Sequence, residues 1–422
     1  ELRGRVDLYH AFVKAMSAAL CKGGTLGLLT SNRFLFVQSG AELRQFLRAS
    51  FDLKAVFDLG DTKLFEAAVL PAIVVAKKDQ TRTTECSFQR VYETRIDPDE
   101  LRMAKKAANI MEALRCGAEH CVKTQKGIFR IERGFLAHHA DPAIPWSLRT
   151  PDGESWLATV QTNQSCTFGE VGKVRVVIKT TADSVFIRDD WQSLAPTCRP
   201  EPELLRRIIT SEDAARWFQR PKRTRLREVL YPHRIDDGRR QPIPLSEYPR
   251  ARAYLESHRK RLESRKYVIE AGRKWYEIWV PQDPDDWAHE KLVYPDIAEL
   301  PRFFLDDTGA IVDGNCYWIT LRPGVDRRYL RIMLAVANSS FITAYYDMVF
   351  HNNLYSGRRR FMAQYVREFP LPKVESPASL EILSNLAAML DAGRSSNDNS
   401  ELESALDDAV WRSFGLSKEV PR

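Results

Sequence analysis

The sequence has no long apolar run and few cysteines. None of its apolar stretches approaches the roughly twenty residues that span a bilayer, and no secretory signal peptide is visible. The 7 cysteines are scattered, odd in number and never spaced as Cys-x-x-Cys. This pattern argues against a membrane protein and a zinc site, and it fits the reduced cytoplasm of a bacterium or archaeon.

The composition is that of a globular protein with material for two or three domains. Of the 422 residues, 44% are hydrophobic and 28% are charged. The net charge of +7 is uneven, because residues 201–280 contain 20 Lys and Arg against 12 Asp and Glu. A local excess of positive charge of this size indicates a polyanionic partner.

The first segment predicts a helix that packs against a sheet. Asp7 is a suitable N-cap, and Gly23 with Gly24 ends the helix, because glycine adopts the left-handed conformation found at helix termini. The apolar residues that repeat every three or four positions, and that should face the sheet, are Leu8, Phe12, Met16 and Ala19.

A strand over residues 25–30 (TLGLLT) comes next, and its lack of polar alternation predicts that both faces are covered. Ser31, Asn32 and Arg33 follow it directly. Ligands of open α/β sheets bind outside the carboxyl ends of strands, so this is a candidate site. A helix over residues 40–48 and strands over 53–59 and 69–77 complete the segment, and residues 60–66 join the two strands.

Three stretches in this order carry a resemblance: DLYHAFVKAMSAALCKGGTLGLLTSNRFL, GAELRQFL and FDLGDTKLFEAAVLPAIVVAKK. They resemble the second half of the TaqI-like, gamma-class adenine-specific DNA methyltransferases, with few gaps over about the first eighty residues. The resemblance implies an α/β fold with an incomplete Rossmann-like class I methyltransferase sheet. It also implies S-adenosylmethionine as cofactor and double-stranded DNA as partner.

By position, the resemblance assigns Phe65 as the ring that stacks on the target adenine. Ser31 and Asn32, at the carboxyl end of the first strand, are predicted to line the same pocket. An amine buried in a duplex is out of reach of a methyl donor, so the base must be flipped out, and an aromatic face recovers part of the lost stacking. The alternative is that Phe65 is an apolar plug at the end of a strand.

Two motifs of that family are missing from these 422 residues. One is the glycine-containing turn that binds S-adenosylmethionine, and the other is the Asn/Asp/Ser-Pro-Pro-Tyr/Phe tetrapeptide that orients the target amine. We therefore expect the chain to be the C-terminal portion of a longer enzyme. On this view the catalytic motif and most of the cofactor site lie upstream, and the chain alone is inactive.

Three further segments, residues 168–186, 273–295 and 334–372, resemble the family's target-recognition region. In the first, the turn at Lys179 and Thr180 is predicted to contact DNA. Between the first and second, residues 254–266 (YLESHRKRLESRK) predict one basic helix that presents Arg259 and Arg261 to DNA. The alternative is a solvated face, with Glu256 and Glu263 paired to the basic residues at helical spacing.

The turn over residues 352–361 is the most attractive candidate DNA contact. It combines three consecutive arginines for phosphates and guanine edges with flanking rings for stacking. Alternatively, one or two of these arginines pair with an acid such as Asp347. Trp275 and Tyr276, by contrast, are predicted as core. The DNA-contacting residues predicted in this turn are Tyr355, Arg358, Arg359 and Arg360.

We predict four regions: residues 1–80 as the rear of a catalytic domain, 81–150 as a helical connector, 151–372 as an α+β target-recognition domain, and 373–422 as C-terminal helices. A helix over residues 97–116 is expected within the connector. Asp407 and Asp408 are expected to cap a helix start, so no metal site is predicted.

The leading hypothesis is the DNA-recognition and base-pocket portion of a site-specific adenine-N6 methyltransferase from a restriction-modification system, acting as a monomer. Two alternatives remain open. One is a non-catalytic DNA-binding specificity module of a phage-defence system. The other is a fragment of a methyltransferase that acts on RNA or protein.

Overall fold

A computed structural model of the protein describes residues 8–62, 64, 69–79, 85–93, 104–117, 120–137, 145–220, 227–350, 358–393 and 399–420. The chain divides into two compact units. The first is drawn from residues 1–161, 343–360 and 419–422, and the second from residues 162–342 and 361–418. The four predicted regional boundaries stay predictions.

The first unit is built on a mixed sheet of eight strands in the order β1-β3-β2-β4-β7-β6-β5, with β8 beside β7. Its elements, apart from a 3₁₀ turn at Gln38–Gly40, are α1 (Leu8–Ala19), β1 (Thr25–Ser31), α2 (Arg33–Phe36), α3 (Ala41–Ser50), β2 (Asp52–Asp58), β3 (Pro71–Lys77), β4 (Ser87–Glu93), β5 (Lys105–Lys106), α4 (Ile110–Arg115), β6 (His120–Thr124), β7 (Gly127–Ala137), β8 (Ser147–Arg149) and α5 (Pro151–Asn163), which continues into the second unit.

The predicted helix and strands of the first eighty residues are confirmed to within about two residues. α3 packs Leu43 and Leu47 into the core, as its apolar spacing predicts. The buried guanidinium of Arg44 donates to the carbonyl oxygens of Phe34 at 2.6 Å and Val37 at 2.9 Å, which attaches α3 to α2. Asp7, the predicted N-cap of α1, lies outside the described residues.

Two predictions about buried faces are wrong. α1 buries His10, Val13 and Ser17, whereas Leu8 is 88% and Phe12 is 70% exposed. The helix therefore packs through a different stripe from the one that the apolar spacing picks out. β1 alternates between exposed and buried residues instead of being covered on both faces, so only one of its faces packs on the core.

The predicted helical connector is mainly β-structure in its described part. Residues 81–150 contribute β4 to β8 to the same sheet, and the expected helix over 97–116 is reduced to α4, Ile110–Arg115. The alternating burial of β4 and β7 explains the difference, since each strand places one face on the core. Residues 97–103 lie outside the described part.

The remaining elements belong mostly to the second unit. They are β9 (Gln164–Thr167), α6 (Phe168–Val171), β10 (Gly172–Val176), α7 (Asp183–Phe186), β11 (Ile187–Arg188), β12 (Leu205–Ile209), β13 (Glu228–Leu230), β14 (His233–Asp236), β15 (Arg239–Pro242), α8 (Pro249–Ser257), α9 (Arg259–Glu263), α10 (Lys266–Glu270), β16 (Lys291–Pro295), β17 (Ile297–Ala298), β18 (Phe304–Asp306), β19 (Ile311–Val312), β20 (Cys316–Leu321), α11 (Arg328–Asn338), α12 (Ser340–Val349), β21 (Arg359–Arg360), α13 (Ala363–Val366), β22 (Pro370–Pro372), α14 (Pro377–Ala392) and α15 (Asn399–Ser413). Three further 3₁₀ turns are Trp191–Ser193, Pro202–Leu204 and Asp285–Ala288.

Two four-stranded sheets, β10-β20-β16-β18 and β11-β13-β12-β19, form the centre of this unit. A shared hydrophobic core packs Trp191, Trp287 and Trp318 together with Phe186 and Phe304. α14 and α15 follow at the end of the chain, so the predicted α/β class, with an α+β second part and C-terminal helices, is confirmed.

The basic segment 254–266 is not one helix. It is divided among α8, α9 and α10, with breaks at His258 and Arg265. Arg265 is buried, and its guanidinium donates to the carbonyl oxygens of Thr180 at 2.9 Å, Trp275 at 2.6 Å and Leu262 at 3.1 Å. Arg265, at the second break, therefore connects this segment to the residues around Thr180 and Trp275.

Candidate functional site

Three strands of the first unit end at the same edge of the sheet. β1 and β2 run in the same direction because both are antiparallel to β3, and β4 is parallel to β2. The strand registers place polar residues beside one another at this carboxyl edge, where ligands of open α/β sheets usually bind. From β1 to β7, the aligned residues are Thr30, Ala72, Asp58, Arg90 and Glu132, of which all except Ala72 are polar.

Asn32 follows β1 directly and stands at the N-cap of α2. Its side chain does not cap the helix, although asparagine is a favoured N-cap residue. Instead, Nδ2 donates to Oδ1 of Asp58 at 2.8 Å. The backbone is fixed as well, since the N–H donates to the carbonyl of Leu70 at 2.8 Å and the carbonyl accepts from the N–H of Leu35 at 2.9 Å. Asn32 is 3% exposed.

Asp58, the last residue of β2, is the centre of this polar network and is fully buried. Its Oδ2 accepts from the hydroxyl of Tyr92 at 2.5 Å, and its Oδ1 also accepts from the N–H of Gly60 at 3.3 Å. Burial raises the pKa of the Asp58 carboxyl, while the hydrogen bonds from Tyr92 and Asn32 oppose that rise. Burial likewise raises the pKa of Tyr92 well above its ordinary value.

The loop that follows β2 is pressed against β4. Gly60 has a φ of +44°, and a Cβ at this position would lie 2.5 Å from the carbonyl oxygen of Val91. Oδ1 of Asp61 accepts from the backbone N–H of Glu93 at 2.7 Å. Phe65, the predicted base-stacking residue, belongs to the same loop but lies outside the described residues.

Arg90 lies beside this network in β4. Its Nε donates to Oε2 of Glu132 at 2.8 Å, and its Nη1 donates to the carbonyl oxygen of Asp347 at 3.3 Å. The guanidinium carbon lies 5.5 Å from the centre of the Tyr92 ring. A positive charge therefore faces the buried carboxylate of Asp58 from the neighbouring strand.

Asp347 also binds the predicted DNA-contacting turn. Its carboxylate accepts two hydrogen bonds from Arg359, at 2.7 Å from Nε and 2.5 Å from Nη2. The sequence left open that one or two arginines of this turn pair with Asp347, and Arg359 does so. Arg358 and Arg360 are exposed, as a DNA contact requires, and Tyr355 lies outside the described residues. Phe361, expected to be an exposed ring, is buried against Phe303 in the second unit.

The other predicted DNA contacts lie in the second unit, on two segments that the buried Arg265 joins through the carbonyls of Thr180 and Leu262. Lys179 is exposed next to Thr180, whose carbonyl accepts from Arg265. Thr180 itself is buried, and its hydroxyl donates to Asp183, so in this conformation it is not available to DNA.

Arg259 and Arg261 lie on α9, immediately before Arg265, and both are exposed. Arg259 forms the predicted pair with Glu263 at 2.8 Å and lies 5.1 Å from the ring centre of Trp275. The predicted core position of Tyr276 is confirmed.

Comparisons with known proteins agree with this architecture. The Eco57I restriction-modification methylase model matches residues 2–65, and the TaqI-like C-terminal specificity domain model matches residues 246–371. The type II methyltransferase M.BanIII of Aneurinibacillus aneurinilyticus is 37% identical over 430 residues, covering 99% of this chain and 72% of the relative. The chain belongs to the type II methyltransferase family.

Type II methyltransferase M.PaeR7I of Pseudomonas aeruginosa is 27% identical over 425 residues, covering 98% of this chain and 65% of the relative. Among solved structures, the type IIL restriction-modification enzyme MmeI in complex with DNA has a TM-score of 0.61 at 14% identity, which shows a shared fold. This chain spans half of the MmeI chain. The resemblance stated from the sequence is therefore confirmed at the level of the family.

The sequence pattern pointed to Asn32 in this methyltransferase, whose role in the pocket stays a prediction, but it did not point to Asp58, Tyr92 and Arg90, which lie in the same polar network. The motif FDLGD carried a usable signal, because an acid that ends an apolar strand beside a glycine is placed at the ligand-binding edge. Ser31 was predicted at the same edge, but its Oγ accepts from the N–H of Arg33 at 3.3 Å. Its role in the pocket stays a prediction.

The methyltransferase chain shows no candidate metal centre among its described residues, since no three or more His, Cys, Asp and Glu side chains are grouped to bind one. Asp407 lies inside α15 and accepts from the N–H of Ser340 at 2.7 Å, so it caps the start of α12 and not of its own helix. None of the described helices is both long and apolar enough to cross a membrane.

Proposed function

We propose that this chain is the DNA-recognition and target-base-pocket portion of a site-specific adenine-N6 DNA methyltransferase from a restriction-modification system. The observation that carries the proposal is the network of Asn32, Asp58 and Tyr92 at the carboxyl edge of the sheet. It leads directly into the loop that contains Phe65. Membership of the type II methyltransferase family supports the reaction class.

In this proposal a flipped adenine enters at the carboxyl edge and stacks on Phe65. The surrounding chain supplies rigidity, because Gly60 and Asp61 hold the start of the loop against β4. Catalytic geometry has to be fixed to within about half an ångström, and hydrogen bonds behind the contacting residues provide this. The side chain of Asn32 is held in this way by its hydrogen bond to Asp58.

S-adenosylmethionine is the methyl donor that the family implies. Asp58 is not placed to bind the donor at this edge, because both its carboxylate oxygens already accept from Asn32, Tyr92 and Gly60. The glycine turn and the Pro-Pro tetrapeptide also do not occur in the sequence. We therefore assign the donor and the tetrapeptide to residues outside these 422, and we expect the chain alone to be inactive.

DNA binding in this proposal uses exposed cations of both units. Arg358 and Arg360 in the first unit, and Lys179, Arg259 and Arg261 in the second, are placed to contact phosphates or base edges. The solved relative MmeI is described in complex with DNA. Double-stranded DNA is thus the proposed partner of a monomeric, cytoplasmic enzyme.

The test uses the full-length methyltransferase that contains this chain. Phe65→Ala should leave duplex affinity nearly unchanged and lower adenine methylation by at least tenfold, because the variant loses the stacking surface for the flipped base. Unchanged turnover would remove Phe65 from the pocket. Stronger binding to structured RNA than to duplex DNA, compared over a range of salt concentrations, would contradict the proposed substrate.

A further inference from the structure

The hairpin of β14 and β15 is a sheet of its own in the second unit. The two strands are antiparallel and pair with each other alone among the described strands. Asp237 and Gly238 join them, and both have a positive φ, +50° and +69°, as a tight two-residue hairpin turn requires. An isolated two-stranded hairpin is only marginally stable in water, so this one depends on its attachment to the rest of the unit.

One face of the hairpin provides that attachment. Opposite residues of an antiparallel pair share a face, which places His233, Ile235 and Arg240 together. His233 is buried, and its Nε2 accepts from the N–H of Ile278 at 3.1 Å. Nη1 of Arg240 donates to the carbonyl oxygen of Gln282 at 3.0 Å. These bonds hold the hairpin in a defined position on the second unit.

The other face, called here the free face, carries Arg234, Asp236, Arg239 and Gln241. Arg234 occupies the nearby acids, since its Nε donates to Asp236 at 2.7 Å and its Nη1 donates to Glu247 at 2.6 Å. Arg239 and Gln241 are exposed, and neither side chain forms a hydrogen bond or an ion pair within the part of the chain that the structure describes. Both are therefore available to a partner.

The dimensions and chemistry of the free face suit the major groove of DNA. That groove is about 12 Å wide and admits a two-stranded ribbon. Arginine pairs through two hydrogen bonds with the O6 and N7 atoms of guanine, and glutamine pairs in the same way with N6 and N7 of adenine. Arg239 and Gln241 are two residues apart on one strand, about 6.8 Å. This spacing corresponds to about two base-pair steps of 3.4 Å.

We propose that the free face enters the major groove of the recognition site, where Arg239 pairs with a guanine and Gln241 with an adenine about two steps away on either strand. This rests on the proposed function and deepens it by naming residues that read bases. The hairpin lies outside both segments that match the family models, residues 2–65 and 246–371.

The first experiment measures base preference. The full-length methyltransferase is given its recognition site and every single base-pair substitution of that site, and kcat/KM is measured for each duplex. Arg239→Ala should reduce discrimination about tenfold at one G·C pair and leave the other positions unchanged. Gln241→Ala should do the same at one A·T pair. An equal loss on all duplexes would instead indicate a phosphate contact and would overturn the proposal.

Arg239→Lys separates base reading from charge. Lysine keeps the positive charge but not the planar fork that binds two acceptors at once. We therefore expect Arg239→Lys to lose most of the discrimination at the same G·C pair while the salt dependence of binding stays at the wild-type value. Wild-type discrimination in Arg239→Lys would show that charge alone is used, which would contradict base reading by the fork.

A modified base identifies the groove. 7-Deazaguanine lacks the N7 acceptor, which lies in the major groove. Placed at the G·C pair that depends on Arg239, it should raise the dissociation constant of the wild type about tenfold and that of Arg239→Ala not at all. An equal rise in both proteins would overturn the pairing of Arg239 with this guanine.

Arg412→Ala is the matched control. Arg412 is an exposed arginine of α15 that pairs with Glu381 at 2.6 Å, so its replacement removes the same charge away from the hairpin. It should keep the wild-type preference at every position. Melting temperatures of the Arg239 and Gln241 variants should also stay at the wild-type value, because both side chains are exposed.

The outcomes separate this inference from the proposed function. A wild-type enzyme that methylates no adenine in duplex DNA would contradict the proposed function itself. A wild-type enzyme that methylates adenine at a specific site, with its full base preference kept in Arg239→Ala and Gln241→Ala, would contradict only the assignment of the hairpin.

Discussion

Arg359 and Asp347 form a two-point ion pair, with Nε–Oδ1 and Nη2–Oδ2 distances of 2.7 and 2.5 Å. Both side chains are mostly buried. The neighbouring Arg358 is exposed. These two consecutive arginines therefore differ in their surroundings, since Arg359 is held in an ion pair and Arg358 is exposed to solvent.

Replacing these arginines one at a time should separate stability from binding. Arg358→Ala should weaken duplex binding and reduce the salt-dependence slope by about 1, because one phosphate contact is lost. Its melting temperature should stay at the wild-type value. Arg359→Ala should lower the free energy of unfolding by about 1–3 kcal/mol, because it leaves the carboxylate of Asp347 unpaired. Calorimetry and salt-dependent binding assays measure both effects, and a stable Arg359→Ala variant would contradict the assignment.

The buried ion pair between Lys291 and Asp306 predicts that removing one of the two charges lowers the free energy of unfolding more than removing both. Nζ and Oδ2 lie 2.8 Å apart, with side chains 0% and 1% exposed. Lys291→Met should destabilise the second unit by about 3–5 kcal/mol, because it leaves Asp306 as an uncompensated buried charge. The double variant Lys291→Met, Asp306→Leu should be more stable than either single variant in urea unfolding. Additive losses would show that the two charges do not depend on each other.

His233 predicts a loss of stability on acidification. Its buried Nε2 accepts from the N–H of Ile278 at 3.1 Å, and burial lowers its pKa to about 3. A histidine with a lowered folded pKa stabilises the protein fully above its unfolded pKa of about 6.5 and loses that contribution as the pH falls below it. The wild type should therefore lose up to about 1.4 kcal/mol per pH unit relative to His233→Gln between pH 6.5 and 5. Parallel stability curves for the two proteins would contradict this.

Gly60 is predicted to be irreplaceable on steric grounds. Gly117 is the matched control, since its φ of +66° is also positive but a Cβ there would meet nothing within 4 Å. Gly117→Ala should cost about 1–2 kcal/mol for the left-handed backbone alone. Gly60→Ala should cost more, because its Cβ would also collide with the carbonyl of Val91. Equal melting temperatures for the two variants would show that the loop can move away from β4.

The sequence predicted the order of elements better than the packing between them. β1, β2 and β3 were found because each is an apolar run next to glycine or polar residues. The inward face of α1 was wrong, because an apolar stripe at helical spacing does not show which stripe of the helix packs. Val13, with His10 and Ser17, is buried in place of the longer apolar stripe.

The candidate site was predicted only in part for a similar reason. Asn32 was found because it follows a strand directly. Its partners Asp58 and Tyr92 come from strands 26 and 60 positions further along the chain, and their contact depends on the parallel pairing of β2 with β4. Pairing between distant strands is set by the whole sheet and leaves no local pattern in the sequence.

The proposed function depends most directly on which base the full-length methyltransferase modifies. Duplex DNA is incubated with the enzyme and isotopically labelled S-adenosylmethionine, and the digested nucleosides are identified by mass spectrometry. An adenine-N6 methyltransferase should place the label in N6-methyladenine at a specific site. Label in methylated cytosine, or label in RNA and none in duplex DNA, would contradict the proposed function.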